Sequence, residues 1–329
     1  MPTMRAVLVE APGGADQLRL GEAPRPEPGA GELRVRVRAT ALNRADLLQR
    51  QGQYPPPPGA SEILGLEAAG VIEAVGEGVD AGRVGARVMA LLPGGGYAEY
   101  VTVPARMAMP IPENLTFEEA AAVPEVFLTA YQALHWLGAV EAGQRVLVHA
   151  GASGVGTAAI QLARAAGATV YVTASAPKHD ACLALGAEAA IDYRTEDFAE
   201  RIADLTGGAG VHVILDFIGA SYFEQNITAL GTDGRLVLLA MMGGTTVDEV
   251  NLAHLFRKRI HLITTTLRSR SVDYKIRLTE AFAVDALPRF QTGALHPVID
   301  SVRDWTEVRE AHRHMEANRN VGKIVLTIP

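Results

Sequence analysis

Apolar and polar positions change rhythm along this chain, and the rhythm predicts its elements. In roughly the first hundred residues, "RAVLVE", "ELRVRVRATAL", "AAGVIEAVG", "ARVMALL" and "AEYVTVP" are short apolar-rich runs broken by Gly and Pro, the signature of strands. Within them "LRVRVRA" alternates strictly, which predicts Val35 and Val37 facing a core and Arg34, Arg36 and Arg38 facing water. The interruptions "PRPEPGAGE" and "YPPPPGAS" are loops, because their prolines cannot serve a central strand. The segment "LTFEEAAAVPEVFLTAYQALHWLGAVEAGQ" then shows helical spacing. From there strands and helices alternate: "RVLVHA", "TVYVTAS", "EAAIDY", "VHVILDFIG", "RLVLLAM" and "HLITTTL" are strands, with helices such as "GVGTAAIQLARAAG", "PKHDACLALG" and "TEDFAERIADLTG" between them. Uniformly apolar strands joined by helices of about ten residues predict a parallel, doubly wound sheet covered on both faces. Beyond Arg268 one amphipathic helix in "YKIRLTEAFAVDALPRF", another around "EVREAHRHMEA" and a last strand "GKIVLTIP" are expected, the strand returning to the open edges of the β-rich region.

Length and charge narrow the classes. At 329 residues the chain favours two domains, each of roughly 100–200 residues. Its 48% hydrophobic and 20% charged residues are those of an ordinary globular protein. A net charge of −7 argues against nucleic-acid binding, which calls for a basic surface. No apolar run approaches the ~18 residues of a membrane helix, and "MPTMRAVLVE" reaches Glu10 before a secretion-type core forms, so a cytoplasmic protein with no membrane partner is expected. The single cysteine, Cys182, rules out an internal disulfide and a cysteine-cage zinc site. In "ACLALG" it reads as a small packing residue.

The chemistry is densest in "VLVHAGASGVGTAAIQLA". A strand ends at Ala150, a glycine-rich turn follows and a helix begins near Val155, placing backbone N–H groups and the positive helix end where a pyrophosphate would lie. Against the dinucleotide template G-x-G-x-x-G, Gly151 and Gly156 are in place, Ser153 stands at the middle glycine, and Gly154 beside it restores the close approach. The Ser153 hydroxyl either crowds the pyrophosphate or donates to it. An NAD enzyme of this design carries an acid about 20 residues on. Here "YVTASAPK" has none between Tyr171 and Ala176, while Ser175, Lys178, Tyr193 and Arg194 offer donors and positive charge suited to a 2′-phosphate. NADPH is therefore the expected cofactor. His149, entering the turn, reads as a hydrogen-bonded core histidine, and His312 and His314, two apart on a helix, point to different faces.

One acid stands out. From Ile63 to Ile72 the chain is apolar or glycine except for Glu67, and an unpaired charge in such a run is costly to bury. A metal, a cation or a set of hydrogen-bond donors must make it tolerable.

Over nearly its full length the chain resembles the medium-chain dehydrogenases/reductases, and within them the zinc-independent, zeta-crystallin-like quinone oxidoreductases. The resemblance rests on "ALNRADLLQRQGQYPPPPGASEILGLEAAG", "ALLPGGGYAEYVTVP", "HAGASGVGTAAIQLAR", "ILDFIG", "TTTLRSR" and "MEANRNVGKIVL". It implies an α/β protein with a GroES-like β-rich catalytic domain over 1–124, a Rossmann NADPH-binding domain over 125–268 and a return to the catalytic domain over 269–329. It also implies a cofactor between the domains and a homodimer. Zinc-dependent members carry Gly-His-Glu where this chain reads Gly65-Leu66-Glu67, and a cysteine near the start of the segment matching "LNRADL", so no metal is expected. Carried over by position, Asn43 and Tyr54 sit by the nicotinamide and substrate, and Thr129 lies at the nicotinamide end. Val155 joins the pyrophosphate turn, while Phe217, Ile218, Gly219, Met242 and Gly243 border the ribose and adenosine. Arg268, Asn320 and Lys323 complete the cofactor set. The implied activity is NADPH-dependent reduction of a quinone or conjugated carbonyl, with Tyr54 or Asn43 as hydrogen-bond donor and Asp46 holding the loop. The rival within the fold is an enoyl reductase, and the rival outside it is an RNA-binding or structural crystallin-like protein. For Glu67 the expectation becomes burial, with hydrogen bonds or a cation such as Arg44.

Overall fold

The computed structural model describes residues 2–329, which divide into two compact units: 2–128 together with Arg268–Pro329, and Thr129–Leu267. The first is built on a seven-stranded sheet. Strands Ile299–Asp304, Lys323–Thr327, Glu32–Ala41, Glu67–Val75, Arg87–Leu91 and Ala108–Pro110 lie side by side in that order, and Tyr100–Pro104 also pairs with Glu32–Ala41. The last strand of the chain runs antiparallel to Glu32–Ala41, with Val325 opposite Ala41. A separate antiparallel hairpin joins Thr3–Val9 to Leu18–Pro24. In the same unit Phe127, Phe282 and Phe290 form an aromatic cluster, Phe127 and Phe290 meeting edge-on at 4.9 Å.

Three local readings are corrected here. Arg34 is only 7% exposed and does not face water. The ladder with Glu67–Val75 slips between Arg34 and Val35, so that Glu73 has no opposite residue, and its carboxylate takes the Arg34 guanidinium (2.6 Å). Glu27 adds a second pair and the Pro26 carbonyl a hydrogen bond. The single helix expected over "YKIRLTEAFAVDALPRF" is two, Val272–Asp285 and Leu287–Gln291. Pro288 has no N–H and its ring would meet the carbonyl four residues back, so the first helix stops before it. Strand Ile299–Asp304 escapes the pattern because it is an edge strand with no fully buried residue, so its apolar signal is weak.

The second unit is one parallel sheet in the order Ala189–Asp192, Thr169–Ala174, Arg145–Val148, Val211–Asp216, Leu230–Leu238, His261–Thr264. In chain order this reads 3-2-1-4-5-6, the doubly wound dinucleotide-binding arrangement expected of the six strands. Leu147, Ile214 and Leu236 from the strands pack with Phe198 and Ile202 from helix Phe198–Thr206. Because the strands are parallel, the segments after their carboxyl ends all emerge along one edge.

Candidate active site

On the second unit that edge gathers most of the residues expected to hold a cofactor. Strand Arg145–Val148 leads through Ala150, at φ +49°, into the turn and helix Gly154–Ala165. Side chains are excluded at both framing glycines: a Cβ on Gly151 would meet Val172 at 2.6 Å, and one on Gly156 would meet the Ala150 carbonyl at 2.4 Å. Ser153 has a further role in the turn, one that leaves its hydroxyl hydrogen free to donate. Its Oγ caps the helix, accepting the Gly156 N–H at 3.0 Å. The N–H groups of Gly154 and Val155 at the helix start remain for an anion. Ser175 follows strand Thr169–Ala174 and Tyr193 follows strand Ala189–Asp192, next to it in the sheet. Lys178 closes the short turn Ala176–Lys178, and the Arg194 guanidinium lies 5.7 Å from the Tyr193 ring.

Further along, the Phe217–Gly219 and Met242–Gly243 segments are zipped together. Met242 N–H donates to the Phe217 carbonyl (3.1 Å) and Gly243 N–H to that of Ile218 (2.6 Å). Gly219 takes φ +83°, where a Cβ would also meet the Gly244 carbonyl at 2.9 Å. Asp216, which the sequence reading did not single out, sets this turn. Its buried carboxyl accepts the N–H groups of Ile218 (2.7 Å) and Gly219 (3.2 Å) and the amide of Asn226 (3.0 Å), while burial raises its pKa to about 6. Asn226 Oδ1 in turn faces His149 Nε2 (2.7 Å), and His149 Nδ1 faces Thr173 Oγ1 (2.9 Å). That chain assigns the proton to Nε2. Burial lowers the His149 pKa to about 4, so the ring is neutral near pH 7. Thr129, in helix Pro124–Tyr131 ahead of π-helical turns at Gln132–Leu137, has a buried Oγ1 without a partner. Cys182 is buried and its thiol pushed up to about 11, as suits a packing residue.

The first unit holds the other expected residues around Glu67, which is fully buried. Its carboxylate receives Lys323 Nζ (2.7 Å), Asn43 Nδ2 (2.9 Å) and the Glu125 N–H (2.8 Å). The compensating cation is thus Lys323 rather than Arg44, whose guanidinium donates to Asn318 instead. The correction reaches two other expectations. Lys323 donates to Asn43 Oδ1 (2.6 Å) and the Leu42 carbonyl (2.7 Å) beside its ion pair with Glu67, so its ammonium is committed within the unit. The Asn43 amide likewise divides its donors between Glu67 and the Ala41 carbonyl (3.3 Å), so it positions Glu67 rather than a substrate. Asp46 ties the loop, accepting the N–H groups of Asn43 (2.8 Å) and Gly65 (3.0 Å), with burial raising its pKa to about 6. Asn320 donates to the Gly322 carbonyl (2.8 Å) in the turn before the last strand.

Arg268 and Tyr54 remain outward of this cluster. Arg268 donates Nε to the Pro93 carbonyl (2.9 Å) and Nη2 to Gln49 (2.7 Å), and its guanidinium lies 5.3 Å from the Tyr54 ring centre. Glu125 is a further acid that the sequence reading passed over. It stands in "AAAVPEVFL", an apolar run of the kind that marked Glu67, and that signal would have found it. Burial, then the Glu67 charge, raises its pKa to about 8.

Known proteins resemble this chain over nearly its full length. Residues 29–113 match the alcohol dehydrogenase GroES-like domain and residues 154–283 the zinc-binding dehydrogenase model. The human synaptic vesicle membrane protein VAT-1 homolog is 37% identical, covering 98% of this chain and 86% of its own length. Among solved structures, an NAD-dependent alcohol dehydrogenase superposes with a TM-score of 0.87 at 35% identity, covering 99% of this chain and 100% of that one. A mycobacterial quinone oxidoreductase gives 0.85 at 33%, with 99% and 100% covered. The CurK enoyl reductase gives 0.86 at 30%, with 99% of each covered. A mycobacterial protein solved with NADPH gives 0.85 at 32%, with 99% and 100% covered. The zinc named in the second model does not fit the donors present here. Among the described residues no three His, Cys, Asp or Glu side chains gather to hold a metal, Leu66 stands beside Glu67, and an ammonium and an amide occupy the Glu67 carboxylate.

Proposed function

The chain belongs to the medium-chain dehydrogenase/reductase family of oxidoreductases, and on that premise we propose that it is an NADPH-dependent, metal-free reductase of quinones and related conjugated carbonyls. The observation that carries this reading is the pair of donor sets. One unit offers a phosphate cradle followed by Ser175, Lys178 and Tyr193 with no acid among them at the second strand. In the other, Glu67 is neutralised by Lys323 instead of facing a metal.

When bound, NADPH supplies hydride. The chain's own residues do the rest. The Gly154 and Val155 N–H groups hold the pyrophosphate, Lys178 and Tyr193 the 2′-phosphate, and the zipped Phe217–Gly219 and Met242–Gly243 segments the nucleoside. The orphaned Thr129 hydroxyl suits the polar nicotinamide end. Tyr54 and Arg268 face the acceptor. A quinone spreads the developing charge over its ring, so positioning and exclusion of water carry most of its reduction.

We propose a homodimer that acts in the cytoplasm. Among the described residues no helix is long and apolar enough to cross a membrane. Strand His261–Thr264 pairs on one side only, and apolar Leu262 on it and Leu252 and Phe256 on the preceding helix Leu252–Lys258 are exposed, which suits a second copy.

Steady-state oxidation of NADPH and NADH with quinones, enones and enoyl thioesters, on protein of measured metal content, tests the reading. Turnover of quinones or enones with NADPH preferred and no stoichiometric metal is expected. A preference for NADH or a requirement for zinc would sink the cofactor and metal assignments, and turnover of enoyl thioesters alone would make the protein an enoyl reductase.

A further inference from the structure

The first unit contains an acid for which the catalytic scheme above has no use and a cation with an idle hydrogen-bond donor. Glu125 opens helix Pro124–Tyr131 and is partly, not wholly, shielded from solvent. Charged and titratable groups on several elements act on it electrostatically. Glu67 lies on strand Glu67–Val75, Asp46 on helix Arg44–Arg50, Tyr54 on the loop after it, Arg268 ahead of helix Val272–Asp285, Lys275 on that helix and Lys323 on the last strand. Three of these are cations, yet each is engaged elsewhere. Lys323 is held by Glu67, Lys275 donates to the Arg268 carbonyl (2.9 Å), and Arg268 donates to Pro93 and Gln49. Among the described residues Glu125 enters no ion pair, and only its backbone N–H is committed, to Glu67.

Arg268 supplies the second observation. It is 93% buried, given its 7% exposure, yet its Nη1 has no hydrogen-bond partner. A buried guanidinium N–H is rarely left idle, because the lost hydration is not recovered without an acceptor. Among the described residues none supplies that acceptor, and the groups that Arg268 senses are Tyr54, Asp46 and Glu125. An oxygen that gains negative charge during reaction would supply it.

We propose that Glu125 is the proton donor of the reduction and that Arg268 Nη1 holds the substrate oxygen that receives the proton. The inference rests on the reductase reading above and narrows its substrate class. As hydride adds to the electrophilic carbon of a conjugated carbonyl, the π electrons shift onto the carbonyl oxygen. The Glu125 O–H bond breaks, its proton goes to that oxygen, and the bonding pair stays on the carboxylate. Water returns the proton to Glu125 after product leaves. Substrate is reduced by two electrons, NADPH is oxidised to NADP+, and one solvent proton is consumed. The Glu67–Lys323 pair keeps the role coherent: Lys323 is held by Glu67, and burial, then the Glu67 charge, keeps Glu125 in the acid form at neutral pH, where a donor must hold its proton. An enolate oxygen is more basic than that of a hydroquinone, so proton delivery matters most for α,β-unsaturated ketones and aldehydes, the class to which this site is matched.

The test compares the wild type with E125Q and E125D. Infrared titration of the cofactor-free protein should show a protonated-carboxyl C=O band that disappears around pH 8 and is missing in E125Q. With NADPH, E125Q should lower kcat for a simple enone about 100-fold, and for a quinone by less than about tenfold. It should abolish the alkaline limb of the enone profile and leave the Kd for NADPH unchanged. E125D, still an acid, should retain that limb with a lower kcat. Equal losses on enone and quinone, an alkaline limb that survives in E125Q, or a wild-type protein without the infrared band would overturn the inference while leaving the reductase reading intact. A wild type that turns over no conjugated carbonyl would overturn both.

Discussion

Replacing Lys323 by Met asks how much the buried ion pair holds the first unit together. The substitution keeps the length of the side chain and removes an ammonium that meets Glu67, Asn43 and the Leu42 carbonyl within 2.7 Å of each. Breaking a buried pair from one side costs about 3–5 kcal/mol, because the remaining charge is left in a poorly polarisable interior. Glu67 would keep two donors, Asn43 Nδ2 and the Glu125 N–H, so the lower end, about 3 kcal/mol, is expected. Against a urea dependence of about 2–3 kcal/mol per molar this moves the midpoint down by roughly 1–1.5 M. The chain has two tryptophans, and Trp305 is buried in the first unit, so fluorescence in a W136F background follows that unit alone. Adding E67Q removes the stranded charge and should recover at least about 1.5 kcal/mol relative to K323M. A loss below about 1 kcal/mol for K323M, or strict additivity in the double variant, would show that Lys323 and Glu67 are not the coupled pair described.

In the second unit, His149 and Asp216 tilt acid stability in opposite directions. His149 is depressed to about 4 from an unfolded value near ~6.5, so its contribution is complete above that value and is lost as pH falls toward 4; Asp216, raised to about 6, adds stability on acidification. H149Q should therefore gain up to about 3 kcal/mol relative to its parent between neutral pH and about pH 4, read from urea midpoints, and a constant difference would refute the buried neutral imidazole. K178A should raise KM for NADPH well above any change for NADH, and equal effects would remove Lys178 from the 2′-phosphate site. L262D, on the open edge strand of the parallel sheet, should yield monomers by light scattering if that edge joins two copies; an unchanged mass would exclude the edge as the interface.

The parallel sheet was legible because its signal is local. Six apolar strands with helices between them have few ways to bury both faces, and the glycines at 151 and 156 announce a turn too tight for a Cβ. The β-rich unit was less legible. Leu18–Pro24 and Ile299–Asp304 lie at sheet margins and bury little, so they lack a strong pattern, and the slip that buries Arg34 depends on where Glu73 falls in a neighbouring strand. A lone acid in an apolar run proved a sound marker: Glu67 and Asp216 are buried and fully engaged, and Glu125, which carries the same mark, has the largest upward displacement among the carboxyls described.

The sequence by itself determined the elements of the doubly wound sheet, the glycine turn and the need to compensate Glu67, since each follows from backbone sterics or desolvation within a short segment. Only the tertiary structure decided which groups meet that need. Lys323 lies 256 positions beyond Glu67 and reaches it because the last strand pairs with Glu32–Ala41, itself the neighbour of Glu67–Val75. Spacing along the chain carries no information about a partner delivered by sheet order, and so the cation, the used-up Asn43 amide and the idle donor of Arg268 became visible only once the strands were laid side by side.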